Sequence, residues 1–356
     1  MSSEKRARRP LHQSSAFWLP TLKQKGLPMD MPVRRPTPLR SKPIPAEGED
    51  GLFRQSWYPI CLASEVAKGQ VIGVPFLDGK VVVFRGDDGI PHVTSAYCPH
   101  VGADLSVGKV VGNNVQCAFH HWEYNGDGVC EKTGVGDPPP RSACLFVFPS
   151  QERWGIVWAF NGETPLFELP SMGYEEDEML FEPYKVPNAW HSDPWVFAAN
   201  TPDMQHFKAV HKVKFGETDP HDMVEWDEWG LRYPVVANHQ GGVAIDWMVA
   251  LRGTGFFWRT GTYDGWWCAA ITGFGLPRPG YHQVFGCYMV LKGEGQEERL
   301  NIARGLTQRT IGEDAPVLDT IHYRQGILTA ADRTLSKYLT LVRNFPRAHP
   351  SAPFIR

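Results

Sequence analysis

The chain has 356 residues, enough for two domains of ordinary size, and its 42% hydrophobic content and formal net charge of −3 describe a globular protein with no electrostatic reason to bind nucleic acid. It holds neither a run of eighteen apolar residues nor the short apolar core of a secretory leader, so no membrane span is expected and a cytoplasmic location is. Its seven cysteines, odd in number and scattered, do not read as a disulfide framework.

Residues 1–52 are rich in Arg, Lys, Pro and Ser (KRARRP, MPVRRPTPLRSKP) and show no periodicity, which predicts an extended arm lying across another surface, such as a neighbouring subunit. Over 53–168 short β runs follow one another: VIGVPF, KVVVFRG, HVTSAY and the strand-like Lys109 to Gln116. Asp88-Gly89 and Asp127-Gly128 are hairpin signals, and WGIVWAF (Trp154 to Phe160) is the closing strand. An all-β domain is implied. A Pro- and acid-rich connector, Leu169 to Tyr184, opens the second part, 169–356, where Pro202 marks the first turn of a short helix. Six runs of period two, LRYPVVANH, GVAIDWMVAL, GFFWRTGTY, WWCAAITGF, HQVFGCYMVLK and RLNIARGL, then predict an antiparallel sheet. A C-terminal helix from about Asp314 to Gln325 would pack on it. The fold class is α+β.

Two constellations carry chemistry. Cys98 and His100 form one C-x-H clip, and Cys117 and His120 a second, C-x-x-H, clip sixteen residues further on. Two thiolates and two imidazoles suit a tetrahedral zinc or a two-iron, two-sulfur cluster. Structural zinc sites usually pair like ligands within a clip; here each clip mixes one Cys with one His, so each loop gives one ligand to each iron of a cluster, and the spacing favours iron. Further on, His206 and His211, with Asp203 close by, offer two imidazoles and a carboxylate, the donor set of mononuclear iron(II) sites that leave room for dioxygen.

The first constellation resembles the Rieske iron-sulfur motif, and HHWEYNGDGVC after it is similar to the form found in Rieske oxygenases. Where those have CPFHGW this chain has CAFHHW, so Ala118 and His121 depart from the pattern, neither at a ligand position. The run Asn200, Asp203, His206, His211 resembles the catalytic iron motif of Rieske non-haem oxygenase large subunits. That resemblance implies His206 and His211 as iron ligands, with a third from an acid at the start of the C-terminal helix, assigned to Asp314 ahead of Asp319 and Asp332. It makes Asp203, with Asn200 in the same motif, the bridge over which an electron passes from a neighbour's cluster. It also implies a helix-grip catalytic domain, a head-to-tail homotrimer, O2 as co-substrate, and a separate ferredoxin or flavin reductase through which NAD(P)H acts only indirectly. No Gly-rich nucleotide fingerprint lies in the chain to do that work itself.

The aromatic run of the second part offers Trp247, Phe257, Trp267 and Phe274 as pocket residues, with few charges among them, so a bulky apolar aromatic or polycyclic substrate is expected. The resemblance favours mono-oxygenation; N-oxygenation of an arylamine, desaturation, demethylation and arene cis-dihydroxylation share the same iron chemistry. A Rieske electron carrier with a lipid-binding domain is the non-enzymatic alternative.

Overall fold

The computed structural model describes residues 42–213, 219–238, 242–324 and 326–356. Most of the arm expected over 1–52 therefore lies outside the described residues. Its last part is built into this chain: Ile44 joins the core, and Glu47 pairs with Arg54 at 2.7 Å, both side chains fully buried.

Three small antiparallel sheets make the first half. Trp57–Leu62 pairs with Ile156–Phe160, which pairs with Ser150–Arg153. Val71–Phe76, Gly79–Arg85 and Pro91–Ser95 form a meander whose second turn holds Asp88-Gly89. The third sheet runs in order Lys109–Val111, Asn114–Gln116, Glu123–Tyr124 and Cys130–Lys132. Two local expectations need correction. Lys109 to Gln116 is a hairpin turning at Gly112, whose φ of +61° suits glycine, and Trp154 sits with Gly155 in a turn of positive φ rather than in the strand.

The second half is built on one antiparallel sheet of seven strands. Its order is Met179–Lys185, Tyr281–Leu291, Trp266–Arg278, Phe256–Tyr263, Ala244–Arg252, Gly230–Asn238 and Glu225–Trp226. All of Met179–Lys185 but its last residue falls inside the expected connector. Pro183 is tolerated there because the strand lies at the sheet's edge, where one row of backbone groups needs no partner.

The helices also differ from expectation. Helix α1 (Pro194–Ala198) and helix α2 (Met204–Ala209) are short; helix α3 runs Gln296–Leu318 and helix α4 Arg333–Asn344. RLNIARGL is thus the first half of α3, not a strand: Leu300, Ala303 and Thr307 are buried at intervals of three and four, the spacing of one helical face. Asp314 consequently stands near the end of its helix, and 319–324 is not its continuation. Pro316 lies within α3 and has no N–H to give the carbonyl four residues back.

The two halves share a core. Trp57, Trp154 and Trp158 pack with Phe256, Ile271 and Phe285, so one face of the large sheet is sealed against the small sheets. Gly273 permits this closeness, since a Cβ there would meet the Trp158 ring at 2.6 Å. The opposite face is roofed by α1, α2 and α3, and a cavity lies beneath them.

Candidate iron centres

Cys98 and His100 lie in the loop after Pro91–Ser95, and Cys117 and His120 in the loop between Asn114–Gln116 and Glu123–Tyr124. Each loop is closed on itself by backbone bonds, Cys98 N–H to the Ala103 carbonyl at 2.9 Å and Cys117 N–H to the Trp122 carbonyl at 2.8 Å. The thiols face inward, at 2% and 1% exposure, while both imidazoles are exposed at the tips. The two rings stand 4.6 Å apart, and Trp122 stacks flat on His100 at 4.3 Å, which fixes that ring's plane. His121 takes φ +58°, a conformation that the glycine of the resembling motif reaches without strain. Gly134 backs the second loop so closely that a Cβ would meet the His120 carbonyl at 2.2 Å.

The Cys and His donors of these loops are not gathered as one metal ion would need. Donor pairs around a tetrahedral zinc are about 3.3–3.8 Å apart. Among the described residues the group whose donor atoms come within 4.8 Å of one another is a different one, so the loops suit the wider two-iron cluster. Tyr124, fully buried on the strand behind, has its hydroxyl 3.2 Å from Cys98 Sγ. Burial and the neighbouring sulfur push the phenol well above its ordinary pKa, so it keeps its proton and is able to donate to the sulfur once that is a metal-bound thiolate. Sequence reasoning passed over it, although HHWEY carried it.

The convergent group is His206, His211 and Asp314. Asp203 caps α2, its carboxylate accepting from the N–H groups of Gln205 at 3.0 Å and His206 at 3.1 Å. Five residues of continuous helix would carry His211 well round from His206. Instead α2 ends at Ala209, Lys212 takes φ +57°, and the two rings meet at 4.9 Å. Each imidazole has its Nδ1 occupied: that of His206 by the Asp203 backbone carbonyl at 2.7 Å, that of His211 by Glu313 at 2.7 Å. Nε2 is left for coordination, and on His211 it lies 3.3 Å from the Asp314 carboxylate. Burial holds His206 below the ordinary imidazole pKa; for His211 burial acts the same way but Asp314 and Glu313 outweigh it and raise the group. Arg309 in turn faces Glu313 at 3.6 Å. Glu313 was visible in the sequence only as the residue before Asp314. Asp319 lies instead against His191, and Asp332 against Gln205, away from the triad.

The triad opens into the cavity, about 200 Å³, with Asn200 beside it and Val235, Ile245, Val249 and Phe257 among its walls. Trp247 and Phe257 face it; Trp267 and Phe274 do not. Trp267 has the opposite strand parity from the wall residues Ala270 and Thr272 and meets Tyr174 and Thr260 on the sheet's other face. Phe274 has the right parity but lies further along, covered by Phe197 and Phe257.

Residues 56–145 match the family model described as "Rieske [2Fe-2S] domain". The chain thus carries a Rieske [2Fe-2S] domain. It is 27% identical over 190 residues to "Cholesterol 7-desaturase nvd" of Bombyx mori, covering 52% of this chain and 39% of that protein. It is 28% identical over 165 residues to "3-ketosteroid-9-alpha-monooxygenase, oxygenase component" of Rhodococcus rhodochrous, covering 45% of this chain and 44% of that protein. The chain thus spans less than half the length of these curated relatives. The family fold extends further than the sequence likeness: the Pseudomonas putida CBB5 NdmA structure with caffeine superposes with a TM-score of 0.64 at 18% identity, over 81% of this chain and 89% of that one. Among the described residues no helix is long and apolar enough to cross a membrane.

Proposed function

We propose that this protein is a Rieske oxygenase, the terminal component of a multi-protein system, mono-oxygenating a bulky, largely apolar aromatic or polycyclic molecule with O2 and electrons from a separate ferredoxin or flavin reductase. On this reading 53–168 is the cluster domain, 169–356 the catalytic domain, and the protein works in the cytoplasm. The observation that carries it is the His206–His211–Asp314 triad opening into an apolar-walled cavity. An electron carrier with a lipid-binding domain would have no use for three convergent metal donors there.

With its metals bound, such a protein gains one-electron relay from the [2Fe-2S] cluster and dioxygen activation from the mononuclear iron. The chain's own residues do the rest. Three protein donors leave the remainder of a coordination sphere open to small molecules. Glu313 and the Asp203 carbonyl hold the imidazoles in one tautomer and orientation, the role of groups behind metal ligands. The apolar walls exclude water and present the substrate's carbon skeleton to the triad. Electrons enter between subunits of a head-to-tail trimer, with the Asp203 carboxylate accepting from His100 or His120 of the neighbouring copy. The exposure of both cluster imidazoles supports that arrangement.

Relatives named as a desaturase and as a monooxygenase favour the wider view that oxygen insertion and desaturation are neighbouring outcomes of one site. The test is oxygen uptake with a generic ferredoxin and its reductase, screened against steroids, arylamines and indoles, together with His206→Ala. The variant should lose its mononuclear iron and its turnover and keep the cluster's visible spectrum. Unchanged iron stoichiometry in the variant would rule out the proposed site.

A further inference from the structure

We infer that Arg259 anchors a carboxylate on the substrate, at the end of the cavity remote from the triad. The proposal rests on the oxygenase reading only for the statement that the cavity's occupant is a substrate.

Arg259 stands in the middle of the aromatic run GFFWRTGTY, and its strand parity turns it into the cavity alongside Phe257. Two contacts fix it. Its guanidinium lies over the Trp247 ring at 4.1 Å, and Nη2 donates to the Thr307 hydroxyl at 3.0 Å. Thr307 is buried and passes its own proton to the Ala303 carbonyl at 3.2 Å, so the hydroxyl's orientation is set by α3. Among the described residues no carboxylate lies within ion-pair distance of Arg259. A guanidinium has five N–H donors in a planar fork, and Thr307 together with a long contact to Cys268 Sγ at 3.9 Å leaves others for a ligand. Two other cations line the cavity, but Arg309 faces Glu313 and Lys212 donates to the Ala209 carbonyl; a permanent positive charge held rigidly against a largely apolar wall, as Arg259 is, is the arrangement that recognises a planar anion in two-point fashion. The stacked Trp247 keeps the fork's plane fixed when no ligand is bound.

The position also measures the ligand. Thr307 and Asp314 are on the same helix, seven residues apart, and so separated by about 10 Å along its axis. A molecule spanning these two points carries its anionic group two or three ring widths from the carbon presented to the triad. The substrate class is therefore a carboxylate on a bi- or tricyclic, largely apolar skeleton.

The experiment is equilibrium binding to the metal-loaded protein without reductant, read by quenching of tryptophan fluorescence. The probes are biphenyl-4-carboxylate, its methyl ester, and benzoate as the short carboxylate. The intact protein should bind biphenyl-4-carboxylate at least about tenfold more tightly than the ester, and more tightly than benzoate. Arg259→Gln should abolish that preference while leaving ester affinity within about twofold, and Arg259→Lys should keep part of it because the charge stays. Equal affinity for acid and ester in the intact protein, no binding of any probe, or a Gln variant that weakens acid and ester alike would overturn the proposal. The last of these would mean Arg259 only props up the wall. Iron content and oxygen uptake are measured on the same preparations. A carboxylate preference without oxygen uptake would count against the oxygenase reading and leave the anchor standing.

Discussion

Tyr124→Phe removes one hydroxyl from behind the cluster and leaves the ring. In the structure that hydroxyl is 3.2 Å from Cys98 Sγ, with Tyr124 fully buried and Cys98 at 2% exposure, so no bulk water replaces it. A hydrogen bond to a charged acceptor contributes about 1.5–3 kcal/mol, and it strengthens when the sulfur gains negative charge on reduction. If about 1 kcal/mol of it is specific to the reduced state, the reduction potential falls by about 40 mV, since about 59 mV corresponds to tenfold in a one-electron equilibrium. The assay is a spectroscopic redox titration of the two proteins at one pH. Cluster content should be unchanged and only the midpoint should move. A midpoint within about 10 mV of the parent, at full cluster loading, would refute the idea that this hydroxyl tunes the sulfur.

Glu313→Ala frees the His211 Nδ1, and mononuclear iron should bind roughly 10–100-fold more weakly, measurable by anaerobic metal titration with the cluster as internal standard. Asp203→Asn keeps an equally good helix cap, so iron content should hold while product formation drops by at least about tenfold; unchanged turnover and coupling would remove Asp203 from the electron path. His282 is buried and neutral, its Nδ1 donating to the Ser192 carbonyl at 2.8 Å, and burial drives its pKa down from 6.5 to about 4. Its depressed value means the folded state resists protonation. The associated stability is complete above pH 6.5 and is lost as pH falls toward 4, an amount of about 3 kcal/mol that His282→Gln should flatten in denaturant titrations across that range. His121→Gly relieves a positive φ and should raise stability by about 1 kcal/mol without altering the cluster spectrum; a loss of stability would mean that the His121 side chain contributes more than its backbone costs.

The centres were legible because their residue types are rare and their order is informative. Cys98, His100, Cys117 and His120 needed only spacing, and Asp314 could be picked out beside Glu313 although the helix around it was misjudged. That error has a physical source. The cavity-facing side of α3 carries Thr307, Thr310 and Asp314, so its inner face is too polar to announce a helix by its apolar stripe, and Leu300, Ile302 and Leu306 mimic alternation. The edge strand Met179–Lys185 was hidden by Pro183, which breaks an interior strand but not an edge. Trp267 and Phe274 show the limit of aromatic content as a guide. Parity separates one from the cavity and depth separates the other, and neither is visible until the register of Trp266–Arg278 against its neighbours is known. Arg259 was hidden among aromatics for the opposite reason: one charge in a greasy run looks like noise until it is seen stacked and aimed.

Pro316 sits two residues beyond Asp314. Because it has no proton to return, the carbonyl of Gly312 is spared its usual partner, and the final turn of α3 bends at smaller cost than the turns before it. The wall that would feel an arriving guest at Thr307 and the arm that would grip metal at Asp314 are one rod with a pliant tip. A push on Thr307 would be carried along that rod and taken up at the tip that holds Asp314, without any loop having to travel.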